Sequence, residues 1–222
     1  MENHNEKQTE THYRLPRIGE SAPQFEAVST QGTLNLKDYE GKWVILFSHP
    51  ADFTPVCTTE FLAFSNIHDQ LRAMNCELIG LSIDSLFSHI AWVRNIENLF
   101  DTKIPFPIIA DINKDIAYKY GMVMPEESDT TTARCVFVID AEQVVRAMIY
   151  YPFTTGRNMD EILRLIRALQ TADQHGVGTG ANWQPGDKVI LYPPWTQDSA
   201  QDRVEDTTAG CKDWYFCEKY LD

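Results

Sequence analysis

Along the chain, short continuous apolar runs alternate with longer stripes of helical spacing. Trp43 to Phe47 is a run of five apolar residues and predicts a strand covered on both faces. Phe61, Phe64, Ile67, Leu71 and Met74 recur three or four apart and predict an amphipathic helix. Leu78 to Ile83 is the next apolar run. Ser85 stands where it can cap a second helix carrying Leu86, Ile90, Val93, Ile96 and Leu99. Upstream, Leu15 to Pro23 is broken by Pro16, Gly19 and Pro23, and Phe25 to Leu36 predicts a hairpin turning near Gln31 and Gly32. Downstream, Pro105 and Pro107 interrupt the pattern. Ile108 to Ala110 predicts a short strand and Asn113 to Tyr120 a short helix. Arg134 to Ile139 predicts a buried strand, joined by a tight turn at Asp140, Ala141 and Glu142 to a partner at Val144 to Tyr150. The last strong helix begins at Asn158, with Glu161 in capping-box position and a stripe of Ile162, Leu165, Ile166 and Leu169.

Strands alternating with helices imply an α/β fold with a mixed central sheet and helices on both faces. The glycine-rich stretch from His175 to Gly180 is expected to end the compact domain. The predicted organisation is a flexible N-terminal extension (1–14), a domain (15–174) and a C-terminal arm (175–222). The arm has little periodicity, several prolines and an acidic stretch from Asp198 to Asp206. An arm of that size is expected to lack a core and to pack on the domain or on another subunit. The chain shows no internal repeat.

The composition excludes more than it selects. Of 222 residues, 43% are hydrophobic and 23% charged, as in an ordinary globular protein. The net charge of −13 disfavours nucleic acid and anionic membranes and aids solubility. No apolar run is long enough to cross a bilayer, and Met1 to Tyr13 resembles neither a secretory signal nor a transit peptide. A cytoplasmic location is therefore expected. The five cysteines, Cys57, Cys76, Cys135, Cys211 and Cys217, are too sparse for a secreted disulfide framework. In a reducing compartment a cysteine pair is more readily catalytic or metal-binding than a static staple.

Cys76 and Cys135 each begin an apolar run and suit the role of small buried hydrophobes. Cys57 does not, because Asp52, Thr54, Thr58, Thr59 and Glu60 surround it. Thr54 and Pro55 read as an N-cap followed by the favoured first helical residue, which puts Cys57 in a first helical turn. Free backbone N–H groups and the helix dipole favour an anion there. A free thiol has a pKa of about 8.5, and helix N-termini or nearby cations lower it to about 3.5–7.5. The helix is local; the cation must come from elsewhere. Arg134 and Arg157 are candidates, since each lies at the end of an element.

The segment His49–Pro50–Ala51–Asp52–Phe53–Thr54–Pro55–Val56–Cys57–Thr58–Thr59–Glu60 resembles the active-site segment of peroxiredoxins, cysteine-dependent peroxidases of thioredoxin-like fold. Pro50, Thr54 and Cys57 occupy the family's P-x-x-x-T-x-x-C positions. Ala133 to Asp140 resembles the strand that brings the family's active-site arginine. Tyr151 to Asn158, and Asn182 to Asp187, resemble segments of the one-cysteine-type branch. The resemblance runs from about Leu15 to the end. It implies that Cys57 is the nucleophile, that Thr54 hydrogen-bonds near the peroxide, and that Arg134 holds the thiolate and stabilises charge on the oxygens. Pro50 would shield the cysteine or lock the loop. His49 would hydrogen-bond near the thiolate or be a buried structural histidine, and Arg157 would bind substrate or hold the loop by a salt bridge.

The tail Cys211–Lys212–Asp213–Trp214–Tyr215–Phe216–Cys217 resembles the arm of archaeal-type members with extra C-terminal cysteines. The resemblance implies that Cys217 resolves the Cys57 sulfenic acid as a disulfide, usually across a subunit boundary, with Cys211 in a supporting or exchange role. The implied substrates are hydrogen peroxide and organic hydroperoxides. The implied partners are a thioredoxin-like protein or small thiol as reductant and a homodimer assembling into a ring, a decamer. No cofactor and no metal is called for: the Cys211–Cys217 spacing exceeds that of paired zinc cysteines, and neither a C-x-x-C nor a G-x-S-x-G-like sequence occurs. Two other functions compete: a one-cysteine peroxidase reduced directly by an external thiol, and an oligomeric holdase chaperone.

Overall fold

In a computed structural model of the chain, residues 14–206 and 210–221 are described. The N-terminal extension expected over 1–14 lies, except for Arg14, outside the described residues. The chain folds as two compact units, Met1–Arg157 and Asn158–Asp222.

The first unit contains β1 (Glu26–Ser29), β2 (Gly32–Asn35), a 3-10 turn (Leu36–Tyr39), β3 (Trp43–Ser48), α1 (Pro55–Ala73), β4 (Cys76–Ser82), α2 (Leu86–Phe100), β5 (Ile108–Ala110), α3 (Asp115–Lys119), β6 (Arg134–Ile139) and β7 (Val145–Tyr151). Its strands form one sheet in the order β2-β1-β5-β4-β3-β6-β7. The three central strands, β3, β4 and β5, are parallel, and the remaining pairings are antiparallel. This is the mixed sheet that the alternation of runs and stripes predicts.

β3 and β6 are buried at every position, which is why both read as unbroken apolar runs rather than alternations. Successive side chains still go to opposite faces. Val44 and Leu46 join a core with Ile79, Leu81, Phe137, Ile139 and, from α3, Ile116 and Ala117. Phe47 goes the other way. It stacks on Phe64 at 4.2 Å and meets Phe61 and Phe106 edge-on at 5.5 and 5.7 Å. Helices thus cover both faces.

The α1 stripe is buried as expected at Phe61, Phe64, Ile67 and Leu71. α2 differs. Ser85 caps it, its Oγ accepting from the Ser88 N–H, but the buried residues are His89, Trp92 and Ile96, while Ile90 and Leu99 are exposed. Two stripes one position apart share Ile96. The aromatic contacts of Trp92 with Phe61 and His49 fix the one that faces inward.

The second unit contains α4 (Met159–His175), β8 (Gly178–Thr179), β9 (Val189–Ile190), α5 (Gln197–Glu205), β10 (Cys211–Asp213) and β11 (Phe216–Lys219). Asn158 caps α4, its side chain accepting from the N–H groups of Asp160 and Glu161. Gly176 ends the helix in the left-handed conformation at φ +61°. The four short strands pair in the order β10-β11-β9-β8. Ala168, Val177, Trp183 and Val189 form a small core with Leu191 and Leu221 against it. Ala168 comes from α4, so the apolar residues of 177–191 gather on that helix rather than on one another alone. Among the described residues, no helix is long and apolar enough to cross a membrane.

Candidate active site

The site forms beyond the carboxyl end of β3, which pairs in parallel with β4. β3 ends at Ser48, and the chain crosses His49 to Phe53 before α1 begins. Phe53 takes a left-handed conformation (φ +55°), turning the chain into the helix. Thr54 sits at the N-cap position with extended backbone, and Pro55 is the first helical residue. The Thr54 hydroxyl makes no capping hydrogen bond; it donates to the Ala51 carbonyl at 2.9 Å. Its oxygen therefore keeps lone pairs for another partner. Pro50 is buried. Cys57 lies in the first turn of α1 as a free thiol with no exposed surface.

The expected cation is Arg134, the first residue of β6. Its Nη1 donates to Cys57 Sγ at 3.3 Å and to Glu60 Oε2 at 2.6 Å. Its Nε and Nη2 both donate to the Phe153 carbonyl, at 3.0 and 2.9 Å. The guanidinium is thus held on two sides, with one corner turned to the sulfur.

Arg157 is placed on Glu60. Its Nε and Nη2 donate to the two carboxylate oxygens at 2.8 and 2.7 Å, and its backbone N–H donates to Oε1 at 3.0 Å. Its Nη1 donates to the carbonyls of Ser48 (2.9 Å) and Cys135 (3.1 Å), and the guanidinium lies 4.9 Å from the centre of the Phe47 ring. Of the two roles open to Arg157 in the sequence, this geometry suits the ion pair that holds the loop.

Glu60, which no motif marks as a site residue, joins both arginines. A signal for it existed. Glu60 falls four before Phe64 and seven before Ile67, on the buried stripe of α1, where a carboxylate must be paired.

His49 is buried and its Nε2 lies 2.9 Å from Asp52 Oδ1. His89, also buried, places Nδ1 2.8 Å from Asp52 Oδ2 and Nε2 3.2 Å from the Ile109 carbonyl. Burial alone would raise the Asp52 carboxyl, but the hydrogen bonds from His49 and His89 outweigh it and hold the group well below the usual carboxylate range. For His49, burial dominates and pushes the imidazole down, with Asp52 offsetting only part of the effect. Asp52 lies within the His49–Glu60 segment without a role assigned to it there, and His89 lies in no motif. The fold brings them together from a loop and from α2.

Cys76 and Cys135 are buried and free, and burial pushes both thiols up to about 12. In the second unit, Cys211 and Cys217 face each other across β10 and β11 and are joined by a disulfide. Cys217 is buried and Cys211 half-buried.

A buried thiol that accepts a hydrogen bond from a fixed guanidinium can attack only a small or thin electrophile. The same guanidinium can take up negative charge that develops on the group under attack.

Comparison with known proteins points to one family. A family model described as AhpC/TSA family matches residues 18–148, and one described as the C-terminal domain of 1-Cys peroxiredoxin matches 168–207. A peroxiredoxin of Aquifex aeolicus is 54% identical over 216 residues, covering 92% of this chain and 97% of its own. One of Methanosarcina mazei is 52% identical over 214 residues, covering 92% and 98%. Among solved structures, a yeast mitochondrial 1-Cys peroxiredoxin, studied for thiol resolution via glutathione/thioredoxin systems, is 40% identical. It superposes with a TM-score of 0.83 over 93% of this chain and 100% of its own. A mutant of the peroxiredoxin 6 of Arenicola marina is 37% identical, with a TM-score of 0.81 over 93% and 99%.

Proposed function

The chain belongs to the AhpC/TSA family of peroxiredoxins and is a thiol-dependent peroxidase, and from that premise we propose that Cys57 is the nucleophile and Arg134 its electrostatic partner. The observation that carries this reading is the Nη1–Sγ hydrogen bond of 3.3 Å in a site without exposed sulfur. The Cys57 thiolate attacks one peroxide oxygen, the O–O bond breaks, and the departing alkoxide or hydroxide takes a proton. The sulfur is left as sulfenic acid. Arg134 stabilises charge on the separating oxygens. Thr54 supports the peroxide through its hydroxyl oxygen, Pro50 keeps water from the sulfur, and His49 lies at the substrate. Arg157 serves the site through Glu60.

The arm completes the cycle in this reading. The Cys217 thiolate attacks the sulfenic sulfur and releases water, giving a Cys57–Cys217 disulfide. The Cys211 thiolate then attacks Cys217, freeing Cys57 and leaving the Cys211–Cys217 disulfide. The presence of that bond in the structure supports the exchange role for Cys211. An external dithiol, a thioredoxin-like protein or small thiols, takes up the oxidation. The peroxide step belongs to residues 15–174 and the relay to the arm, 175–222. Hydrogen peroxide and organic hydroperoxides are the substrates, in the cytoplasm.

We also propose homodimers assembled into a ring, a decamer. Phe53, Leu99 and Phe100 are exposed along one groove with Leu62, and a second copy would cover them. Light scattering on the reduced protein tests the assembly; a monomer would sink it.

Peroxide turnover with a thiol donor tests the activity. Cys57→Ser is expected to abolish it. Full turnover by that variant would remove Cys57 from the mechanism.

A further inference from the structure

The partners of the Arg134 guanidinium differ in how firmly they are themselves held. Nη1 meets Cys57 and Glu60, both in α1, whereas Nε and Nη2 close on the carbonyl of Phe153 at 3.0 and 2.9 Å. Phe153 lies just past the end of β7, in the connection 152–158 that leads to α4. Tyr151 still pairs with Arg134 across the sheet, but Pro152 has no N–H with which to continue the ladder. The place of the Phe153 carbonyl therefore depends on what holds a residue outside the sheet.

One such hold is Glu127, whose carboxylate accepts the Phe153 N–H at 2.8 Å. Glu127 is exposed, yet its backbone is tied down. The N–H groups of Glu127 and Ser128 both donate to the Met124 carbonyl, at 2.9 and 2.8 Å, and close a turn. Lys114 Nζ donates to the Asp129 carbonyl at 2.6 Å and pins the far side of that turn. The chain then runs on into β6, whose first residue is Arg134. Phe153 is thus gripped at both of its backbone groups by one segment. Glu127 takes the N–H, and Arg134, further along, takes the carbonyl.

A hydrogen bond from an amide to a carboxylate is charge-assisted and stronger than one between neutral groups. Without it the N–H side of Phe153 is released, and the carbonyl that locks two nitrogens of Arg134 moves with it. A displacement of about 1 Å in a positioning contact can cost about 10²-fold in rate. At an exposed residue water takes over part of the lost hold, so the cost here is smaller.

We propose that Glu127 is a positioning residue for peroxide reduction: by holding the Phe153 N–H it sets the carbonyl that locks Arg134 and so keeps the Nη1 corner on the Cys57 sulfur. It acts through Phe153 and Arg134 and takes no part in the bonds that form and break. What it supplies is an acceptor oxygen, so an amide in its place serves as well as a carboxylate. The proposal rests on Cys57 as nucleophile and Arg134 as its partner. A contact that only tied two loops together would show in stability and leave Cys57 oxidation unchanged.

The test is the rate of Cys57 oxidation by hydrogen peroxide in the reduced, full-length protein, measured by stopped-flow fluorescence. Glu127→Ala is expected to slow it about five- to tenfold, with an unfolding midpoint in urea close to that of the unmodified protein. Glu127→Gln is expected to stay within about twofold of the unmodified rate, because its amide oxygen still accepts. In an Arg134→Lys background, where the fork on Phe153 is already gone, Glu127→Ala is expected to add less than about twofold. An unchanged rate in Glu127→Ala overturns the proposal. So does a Gln variant as slow as the Ala variant, or an equal loss with and without Arg134. If Glu127→Ala does not fold, hydrogen exchange of the unmodified protein decides, read by mass spectrometry on overlapping peptides across Phe153. A protected Phe153 amide is expected, and exchange at the rate of an open chain overturns the proposal. Failure of the peroxidase reading would appear separately, as turnover that survives Cys57→Ser.

Discussion

Arg157 and Glu60 are joined side to side, Nε to Oε1 at 2.8 Å and Nη2 to Oε2 at 2.7 Å, while Glu60 Oε2 also takes Arg134 Nη1 at 2.6 Å. One buried carboxylate therefore holds two buried guanidinium groups, and only one of these reaches the Cys57 sulfur. Glu60 and the Phe153 carbonyl together fix the Arg134 guanidinium in place beside that sulfur.

Removing Glu60 should therefore harm stability before chemistry. Glu60→Gln keeps the shape but leaves two buried cations without a counter-charge. A loss of about 3–5 kcal/mol in urea unfolding is expected, as for other broken buried ion pairs. An unfolding midpoint equal to that of the unmodified protein would show that Glu60 does not carry the pair.

Arg134 and Arg157 should separate in kinetics. Arg134→Lys replaces a planar fork by a point charge that cannot serve Cys57, Glu60 and Phe153 together. Cys57 oxidation by peroxide should slow by about 10²–10³-fold, the usual cost of losing a donor to developing charge. Arg157→Lys should lower the unfolding midpoint and leave that rate within about tenfold. Stopped-flow fluorescence of Cys57 oxidation, set beside denaturation curves, reads both. Equal kinetic losses would place Arg157 at the peroxide as well.

Much of this arrangement was legible in the sequence because it is local. The first-turn placement of Cys57 follows from Thr54 and Pro55. β3 and β6 are legible because both faces of each are covered, so their runs are unbroken. What was not legible depends on long-range pairing. Glu60 looked like one more polar neighbour of Cys57 until Arg134 and Arg157, 74 and 97 residues further on, closed on it. Asp52 and His89 likewise meet only because α2 turns His89 and Trp92 inward instead of Ile90 and Leu99. The strands of residues 178–190 were not legible because two-residue strands carry no readable period.

Acidification should unfold the protein in two steps of different origin. His49 is held below its ordinary value, so its contribution to stability is present above about pH 6.5. That contribution is lost as pH falls, because the unfolded chain takes up the proton first. Asp52 is also held below its ordinary value, so its contribution is present above about pH 4 and is lost below that. Urea midpoints should fall between pH 7 and pH 5.5 and fall again below pH 4. His49→Gln should flatten the first decline and reduce the second without abolishing it, because His89 still holds Asp52. A first decline that is unchanged in His49→Gln would assign it to another group.

The arm cysteines should part company under peroxide. Cys217 is buried and Cys211 half-buried, and the two are bonded to each other. If Cys217 resolves and Cys211 exchanges, one equivalent of peroxide added to the fully reduced protein should end as a Cys211–Cys217 disulfide. Cys211→Ser should stop one step earlier and accumulate Cys57–Cys217. Cys217→Ser should stop at the sulfenic acid and, with excess peroxide, pass to the sulfinic acid. Forming the mixed disulfide requires Cys57 to leave its pocket, and the first turn of α1 is the part that must open. Proteolysis and mass mapping under non-reducing conditions distinguish these products. A Cys57 disulfide that survives Cys217→Ser would move the resolving role to Cys211.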